Sequence, residues 1–319
     1  MEFRHLGNSG LRVSVIGLGC NNFGGRLTLE ETRAVMHKAH DLGITLFDTA
    51  DNYGATGGGQ RGDSERQMGQ VLGPMRHEIV LATKFANAMA DDGTKQGGSR
   101  RYIMRAVEDS LARLRTDYID LYQIHFPDAD TPIEETLRAL DDLVQQGKVR
   151  YIGCSNHTPW RVVEAAWAAK TCNLNHFISA QDQYSLVHRA PEKDLMPALR
   201  QYGMGLLPYF PLASGLLTGK YRRNAAMPAG TRLANTQRLA DVYLTDKNWE
   251  IAEKLGDFAA THGHTMLELA FSWLLAQAPV SSVIAGATKP EQLEANVTAG
   301  GWKMTAAELA EIDAIATPT

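Results

Sequence analysis

One pattern runs through the whole chain: a short apolar run rich in β-branched residues is followed by a polar loop and then by a stretch with helical periodicity. The runs are continuous rather than alternating with polar residues, which is typical of strands buried on both faces of a parallel sheet. The eight runs are residues 13–18, 44–47, 79–82, 119–124, 149–152, 177–180, 205–207 and 282–285. Eight strands that alternate with helices predict either an open doubly wound sheet or a closed barrel.

The segment after the first run favours the barrel. A doubly wound dinucleotide-binding sheet is expected to carry G-x-G-x-x-G between its first strand and the following helix. The nearest match, GLGCNNFG from Gly17, has a different spacing, and the next helix is predicted to begin only at Thr28, where Thr28 and Glu31 have the spacing of a capping box. We therefore predict an α/β fold, a (β/α)8 TIM barrel that forms a single domain over residues 1–319, a length that such barrels reach.

Two additions to a bare barrel are predicted. Residues 3–6 and 11–15 flank Gly7-Asn8-Ser9-Gly10, a pattern typical of an N-terminal β-hairpin. Residues 212–245 form a long loop after the seventh strand with little periodicity. Loops of that length are uncommon unless they have a function.

Charge and composition exclude several classes of function. The net charge of −4 is spread along the chain without a basic cluster, so nucleic acid is not an expected partner. No segment is apolar and long enough to predict a membrane span, and the N-terminus lacks the apolar core of a signal peptide. The three cysteines show no metal-ligand spacing and are expected to be small buried residues in a reducing, cytoplasmic compartment. The oligomeric state is left open.

Four ionisable side chains stand at the ends of three successive predicted strands. Asp48 follows the second run, with Tyr53 five residues later, while Lys84 follows the third run and His125 the fourth. In barrel enzymes the chemistry is located just beyond the carboxyl ends of the strands. Each residue taken alone is more often a cap or a packed core residue. A Lys and an Asp that both face inward, however, must pair to offset their burial, so the four together predict a catalytic site.

These residue types form a proton donor for a carbonyl oxygen. A free tyrosine has a pKa of about 10, and a nearby ammonium is expected to lower the pKa by stabilising the phenolate. Asp48 is predicted to hold the Lys84 ammonium in place, and His125 to orient and polarise the carbonyl group. The predicted chemistry needs no metal.

Motifs at successive strand ends resemble those of one known family. In chain order they are RHLGNSGLRVSVIGLG, FDTADNYG, ATKF, QIHFPD, RYIGCSN, AQDQYS, PYFPLASGLLTGKY and VIAGATKPEQLEANV. On these segments the chain resembles the aldo-keto reductase superfamily over nearly its whole length. The resemblance implies that Asp48, Tyr53, Lys84 and His125 are the catalytic tetrad of that superfamily.

The resemblance also implies a nicotinamide cofactor site. Ser155, Asn156 and Gln181 match the side chains that hold the nicotinamide carboxamide, and Tyr209 matches the ring that stacks on the nicotinamide. The turn that grips the pyrophosphate is implied to comprise Pro211, Leu212, Ser214, Gly215 and Lys220, with Phe210 before it at a position where the family often has Ser.

The adenosine end of the cofactor is implied to bind near the last predicted strand. The matching residues there are Gly286, Thr288, Lys289, Gln292 and Asn296, with Arg232 as a further candidate for the 2′-phosphate. A Lys and a hydroxyl at a helix N-terminus suit a phosphate, so NADPH/NADP+ is predicted in preference to NADH. Ala295 stands where a Glu often contacts the adenine. Phe23, Phe85 and Phe126 are candidates for lining the substrate pocket.

The predicted function is therefore the reversible, NADPH-dependent reduction of aldehydes and ketones to alcohols, with a small-molecule carbonyl compound as substrate. Two alternatives remain open. One is a regulatory subunit that binds the cofactor, senses redox state and turns over slowly. The other is an aldolase that forms a Schiff base on Lys84, which requires Lys84 to be free of a tight carboxylate partner.

Overall fold

The computed structural model describes residues 1–316 of the chain. Residues 317–319, the last three of the predicted domain, lie outside the described residues. The chain begins with an antiparallel hairpin, β1 (Phe3–His5) and β2 (Arg12–Ser14). The strands that follow form one parallel sheet: β3 Ile16–Gly19, β4 Leu46–Asp48, β5 Val80–Phe85, β6 Ile119–Ile124, β7 Val149–Ser155, β8 Ser179–Gln183, β9 Gly205–Tyr209 and β10 Val283–Gly286.

The parallel sheet closes into a barrel. Each strand pairs with the next one in the sequence from β3 to β9, and β10 pairs with β3. On the remaining side, Leu206 of β9 and Val280 form an isolated parallel bridge, and the Ser281 N–H donates to the Leu206 carbonyl at 3.0 Å. The predicted (β/α)8 barrel with an N-terminal hairpin is confirmed.

Helices lie between the strands and follow the last one. They are α1 Leu29–Asp41, α2 Asp63–Val71, α3 Arg100–Leu114, α4 Ile133–Gln145, α5 Pro159–Cys172, α6 Leu195–Gln201, α7 Arg232–Asn235, α8 Gln237–Tyr243, α9 Asp246–Thr261, α10 Met266–Ala276, α11 Pro290–Ala299 and α12 Ala306–Ala316. The predicted capping box begins α1: the Glu31 N–H donates to Thr28 Oγ1 and the Thr28 N–H donates to Glu31 Oε2.

The apolar run 13–18, predicted as one strand, belongs to two elements. The β2 strand ends at Ser14 and β3 begins at Ile16. The Ser14 hydroxyl donates to the Ile16 carbonyl at 2.6 Å and accepts from the Thr45 N–H at 2.9 Å. Val13, Val15 and Ile16 stand on both sides of this boundary, so the change of element falls inside a run of β-branched residues.

The hairpin covers the amino end of the barrel. Leu6 packs with barrel residues such as Leu46, Val80 and Leu121 in one buried cluster, and the Asn8 N–H donates to the Gly203 carbonyl at 2.7 Å. The interior at this end is therefore filled with apolar side chains. The space left for polar chemistry is at the carboxyl ends of the strands.

The long connection after β9 contains regular structure, which the sequence did not predict. A 3₁₀ segment (Ala213–Thr218), α7 and α8 lie within it. Tyr243 is buried, and its hydroxyl accepts a 2.8 Å hydrogen bond from Gln183 Nε2 at the end of β8. This hydrogen bond holds the connection over the carboxyl end of the barrel.

Two smaller predictions concern the cysteines and the membrane. Cys20 and Cys154 are buried as predicted, whereas Cys172, the last residue of α5, is only half-buried. Within residues 1–316, every helix is too short or too polar to cross a bilayer.

Candidate active site

Side chains alternate between the two faces of each strand, and this alternation brings the four predicted ionisable residues to one place. Inward-facing positions recur every second residue along a strand. Ala82 on β5 and Leu121 on β6 face the barrel interior, so Lys84 and His125 follow on the same side. Asp48 ends β4 in the same way, two residues after the inward Leu46.

The Lys84 ammonium is the centre of the cluster. Its Nζ donates to Asp48 Oδ2 at 2.7 Å, to the Thr49 carbonyl at 2.8 Å and to the Tyr53 hydroxyl at 3.3 Å. The side chain is 0 % exposed. Burial acts to lower the pKa of Lys84, but Asp48 and Tyr53 outweigh it and the pKa is raised. Lys84 is therefore a charged ammonium at neutral pH.

The pKa of the Tyr53 hydroxyl differs from the value expected from the sequence. Burial raises the pKa of Tyr53, and the opposing effect of Lys84 does not overcome it, in part because Asp48 also acts to raise the pKa. The expectation of a lowered pKa in the free protein is thus wrong. The phenol stays protonated at neutral pH, as a proton donor must, and the ammonium stabilises the phenolate only once the proton has left.

His125 is neutral and has one ring nitrogen facing the site. Burial and the charge of Lys84 lower the pKa of His125 to about 2. Asn87 Nδ2 lies 3.0 Å from His125 Nδ1, and with the amide as donor the ring carries its hydrogen on Nε2. The ring stands edge-on to that of Tyr53, with 5.7 Å between the ring centres. Nε2–H is thereby available as a donor near the Tyr53 hydroxyl.

Two residues that support this cluster were missed at the sequence level. Gln123 Nε2 donates to Asp48 Oδ1 at 3.2 Å, and Asn87 holds the His125 ring. Gln123 had a detectable signal: it is a polar residue inside an apolar strand, two positions before His125 and therefore on the same face. Asn87 lies beyond the end of β5, where spacing along the strand no longer predicts direction.

The residues predicted to hold the nicotinamide form one hydrogen-bonded group. Tyr209 donates to Asn156 Oδ1 at 2.7 Å, and Asn156 Nδ2 donates to the His125 carbonyl at 3.0 Å. The Ser155 hydroxyl donates to the Gln181 carbonyl at 2.8 Å, and Gln181 Nε2 donates to Asp48 Oδ1 at 2.9 Å. These bonds connect the group directly to Asp48 and His125.

The turn after Tyr209 combines positive φ angles with a nearby ammonium. Ala213, Ser214 and Gly215 have φ angles of 46°, 58° and 107°, and the Ala213 and Gly215 N–H groups donate within the turn to the Phe210 and Leu212 carbonyls at 2.9 and 2.7 Å. A Cβ on Gly215 would lie 3.1 Å from Lys220 Nζ, which places an ammonium beside the same turn. Pro211 and Leu212 lead into it.

The predicted adenosine residues gather at the start of α11. Gln292 Oε1 accepts from the Thr288 N–H at 2.7 Å and from the Lys289 N–H at 3.2 Å. Asn296 is buried one turn further along, and Gly286 ends β10. The Lys289 side chain and the Thr288 hydroxyl thus flank the N-terminus of a helix.

Arg232 begins α7 in the connection after β9 and is half-buried. Its guanidinium carbon is 4.9 Å from the centre of the Phe210 ring, the residue that precedes the turn at 211–215. Its role as a further candidate for the 2′-phosphate stays a prediction.

The three phenylalanines predicted to line a pocket occupy different environments. Phe23 and Phe85 are 0 % exposed and belong to the apolar core. Phe85 follows Lys84 directly, so it points to the opposite face of the sheet and stacks on Tyr122 at 4.7 Å. Phe126 is 47 % exposed and stacks on His125 at 5.2 Å. Of the three, only Phe126 is placed to form the wall of an open pocket.

Comparison with known proteins identifies the family of the chain. The sequence profile of the Aldo/keto reductase family matches residues 15–317. The chain belongs to that family and is an oxidoreductase that acts on carbonyl groups.

Among its relatives are two proteins described as L-glyceraldehyde 3-phosphate reductase. The one from Escherichia coli O157:H7 is 38 % identical and the one from Escherichia coli strain K12 is 37 % identical, each aligned over 98 % of this chain and 92 % of the relative. A protein of Oryza sativa subsp. japonica, described as a probable voltage-gated potassium channel subunit beta, is 36 % identical over 94 % of this chain and 91 % of its own length.

Proposed function

We propose that the protein reduces aldehydes and ketones with NADPH, and that Tyr53 donates the proton. The observation that carries the proposal is the position of Lys84 Nζ, 2.7 Å from Asp48 Oδ2 and 3.3 Å from the Tyr53 hydroxyl, in a side chain with no solvent exposure. A charge at that position stabilises the phenolate more strongly than it would in water.

The residues of the chain fit a bound NADPH. The amides of Asn156 and Gln181 suit a carboxamide, and the Lys220 ammonium beside Gly215 suits a pyrophosphate. Lys289 at the start of α11 suits the additional 2′-phosphate, which favours NADPH over NADH. When bound, the cofactor supplies a hydride to the carbonyl carbon.

The protein supplies the proton and the orientation. His125 Nε2–H donates a hydrogen bond to the carbonyl oxygen and polarises the C=O bond. As the carbon gains its hydride, Tyr53 transfers its proton to the oxygen, and the product is an alcohol. The phenolate that remains is stabilised by Lys84, which Asp48 holds in place and keeps charged, and solvent then reprotonates Tyr53.

The substrate class and location follow from the same features. We propose a small-molecule carbonyl substrate, as the name of the Escherichia coli relatives indicates for those proteins. Phe126 forms part of the pocket wall. The protein is proposed to act in the cytoplasm, where thiols such as Cys172 remain reduced, and as one domain over residues 1–319.

The variant Tyr53→Phe tests the assignment because it removes one oxygen atom. We expect the NADPH dissociation constant, measured by fluorescence titration, to stay within about twofold, because Tyr53 makes no predicted cofactor contact. Carbonyl-dependent NADPH oxidation should fall by about 10²- to 10⁴-fold. Tyr118→Phe, which removes the same atom next to His77 at the amino end of β6, is the matched control. Near-normal turnover by Tyr53→Phe would contradict the proposal.

The contacts of Lys84 argue against the aldolase alternative. A Schiff base requires a neutral amine, whereas Asp48 keeps Lys84 protonated by raising its pKa. Borohydride treatment in the presence of a carbonyl compound should therefore leave Lys84 unmodified. A stable adduct on Lys84, detected by mass spectrometry, would favour the aldolase.

The regulatory alternative is favoured by one observation, the similarity to proteins described as potassium channel beta subunits. In this alternative, this protein retains its cofactor and turns over slowly. Bound NADPH that is not oxidised by any compound in a broad panel of aldehydes, ketones and sugars would favour this alternative. Rapid oxidation with any member of the panel supports the reductase.

A further inference from the structure

Gln123 is a fully buried amide near the carboxyl end of β6. Its side chain is 0 % exposed, and the alternation along the strand turns it toward the barrel interior. It lies between Leu121, which belongs to the apolar cluster below, and His125 of the candidate active site. An amide at this depth is removed from bulk solvent, so each of its two polar atoms needs a hydrogen-bond partner.

The two polar atoms of Gln123 have different surroundings. Nε2 donates to Asp48 Oδ1 at 3.2 Å, whereas Oε1 accepts no hydrogen bond from residues 1–316. The opposite orientation of the amide would place its oxygen against the Asp48 carboxylate. A buried carbonyl oxygen without a donor from the protein is unfavourable, and an apolar side chain of similar length would avoid it. The packing of the barrel therefore does not explain a glutamine at this position.

The partner of Gln123 is the carboxylate that holds the Lys84 ammonium. Asp48 Oδ2 accepts from Lys84 Nζ at 2.7 Å, while Oδ1 accepts from two amides. One amide is Gln123 on β6, and the other is Gln181 on β8, whose Nε2 lies 2.9 Å away. Lys84 Nζ also donates to the Tyr53 hydroxyl at 3.3 Å. Direct contacts thus lead from Gln123 to the candidate proton donor.

The neighbouring strands confine the Gln123 side chain. A Cβ on Gly153 of β7 would lie 3.3 Å from Gln123 Cγ, so a glycine at this position leaves the room that the side chain needs. The same Cβ would lie 2.8 Å from Ser179 Oγ on β8. This close packing restricts the amide to the direction of Asp48.

We propose that Gln123 is a positioning residue for the reduction: it fixes the Asp48 carboxylate and, through it, the Lys84 ammonium. This inference rests on the proposed reductase function. Two amide donors on Oδ1 keep Oδ2 turned toward the ammonium. With Gln181 as the remaining amide donor, the carboxylate can rotate and Lys84 loses a fixed acceptor. The phenolate that forms on Tyr53 is then stabilised less, because such stabilisation requires donors that are already in place.

Gln123→Met removes the amide and keeps the length of the side chain. We expect kcat to fall by about 5- to 20-fold, which is part of the effect of losing a hydrogen bond to a charged group. KM for the carbonyl compound and the NADPH dissociation constant should stay within about twofold. The urea midpoint should stay within about 0.3 M, because the lost bond to Asp48 is offset by removal of the unpartnered oxygen.

Gln123→Glu gives a pH profile that a purely structural role does not predict. The introduced carboxyl has the shape of the amide, and the adjacent Asp48 carboxylate raises its pKa, an effect that the Lys84 ammonium moderates. While protonated, it donates to Asp48 Oδ1 and kcat should be near normal. Once it is ionised, the two carboxylates repel each other. The variant should therefore lose kcat as the pH rises from about 5 to 9, relative to the unmodified protein at each pH.

Ser179→Ala is the matched control. Like Gln123→Met, it removes a buried oxygen without a hydrogen-bond partner among residues 1–316, and this oxygen does not contact Asp48. The variant should keep kcat, KM and the urea midpoint. A loss of kcat equal to that of Gln123→Met would overturn the inference, because any change in the barrel interior would then have the same effect. A Gln123→Met variant that loses urea stability and NADPH affinity in proportion to kcat would overturn it as well.

A measurement without turnover separates this inference from the reductase proposal. The exchange of the Lys84 ammonium hydrogens with water is followed by NMR of protein with isotope-labelled lysine, and Lys84→Met identifies the resonance. The exchange should be at least about threefold faster in Gln123→Met and unchanged in Ser179→Ala. This result supports the positioning role even if no carbonyl compound is reduced, in which case only the reductase proposal fails. Unchanged exchange in Gln123→Met, or a kcat within about twofold of the unmodified protein, overturns the inference.

Discussion

The ion pair between Lys84 and Asp48 allows stability and catalysis to be separated by two substitutions. In Lys84→Met the ammonium and its three hydrogen bonds disappear, and the buried Asp48 carboxylate keeps only the amides of Gln123 and Gln181. Removing one partner of a buried pair costs about 3–5 kcal/mol of folding free energy. The double variant Asp48→Asn, Lys84→Met removes both charges, so most of this loss should be recovered.

Turnover should behave differently from stability. The bond from Lys84 to the forming phenolate is a charge-assisted hydrogen bond worth about 1.5–3 kcal/mol, which corresponds to a loss of about 10- to 150-fold in kcat. Both the single and the double variant lack this bond. We therefore expect both to remain slow, although the double variant is the more stable of the two.

The measurements are urea unfolding followed by tryptophan fluorescence and NADPH oxidation at saturating carbonyl compound. The NADPH dissociation constant is measured alongside to show that the cofactor site is intact. The reasoning would be refuted by a Lys84→Met variant whose kcat stays within threefold of the unmodified protein. A double variant that regains full turnover would refute it equally.

Three further outcomes are expected. Asn87→Ala should lower kcat by about tenfold with an unfolding free energy within about 1 kcal/mol of the unmodified protein, because it frees the His125 ring without touching the core; an unchanged kcat would mean that Asn87 does not orient the ring. The unfolded chain takes up a proton on His125 near its ordinary pKa of about 6.5, whereas the folded protein, with the pKa of His125 lowered to about 2, does not. The free energy of unfolding should therefore fall as the pH drops below about 6.5. In His125→Gln the dependence of this free energy on pH should be weaker by up to about 1.4 kcal/mol per pH unit. Urea titrations at several pH values measure both. Phe126→Ala should raise KM for carbonyl substrates while changing the unfolding free energy by no more than about 1 kcal/mol, since the ring is 47 % exposed; an equal effect on KM for Val242→Ala, an exposed residue on α8, would count against a pocket role.

Much of the barrel was predictable because its strands are buried on both faces. The run 119–124 coincides with β6, since polar or loop-forming residues flank it on both sides. The prediction for β7 stopped at residue 152, whereas the strand continues to Ser155. Gly153, Cys154 and Ser155 have no strong apolar signal, and they extend the strand because the neighbouring β6 and β8 supply hydrogen-bond partners.

The candidate site was predictable to the extent that its residues lie on strands. Asp48, Lys84 and Gln123 have directions that follow from period-two alternation, and the same rule excludes Phe85 from the interior. Residues on loops behave differently. The contact of Asn87 with His125 depends on how the loops after β5 and β6 meet. The place of Arg232 over Phe210 depends on how the long connection after β9 folds back on itself.

The local order of the chain, eight buried strands with charged residues at their carboxyl ends, was determined by the sequence, because burial and alternation act between residues close to each other along the chain. The protonation states and the contacts between loops were decided only by the tertiary structure. Whether Tyr53 keeps its proton depends on the balance between loss of water and the field of Lys84, and whether Asn87 holds the His125 ring depends on how the chain beyond β5 meets the chain beyond β6. Protonation and contacts between loops depend on distance and burial in three dimensions, and these cannot be read from the spacing of residues along the chain.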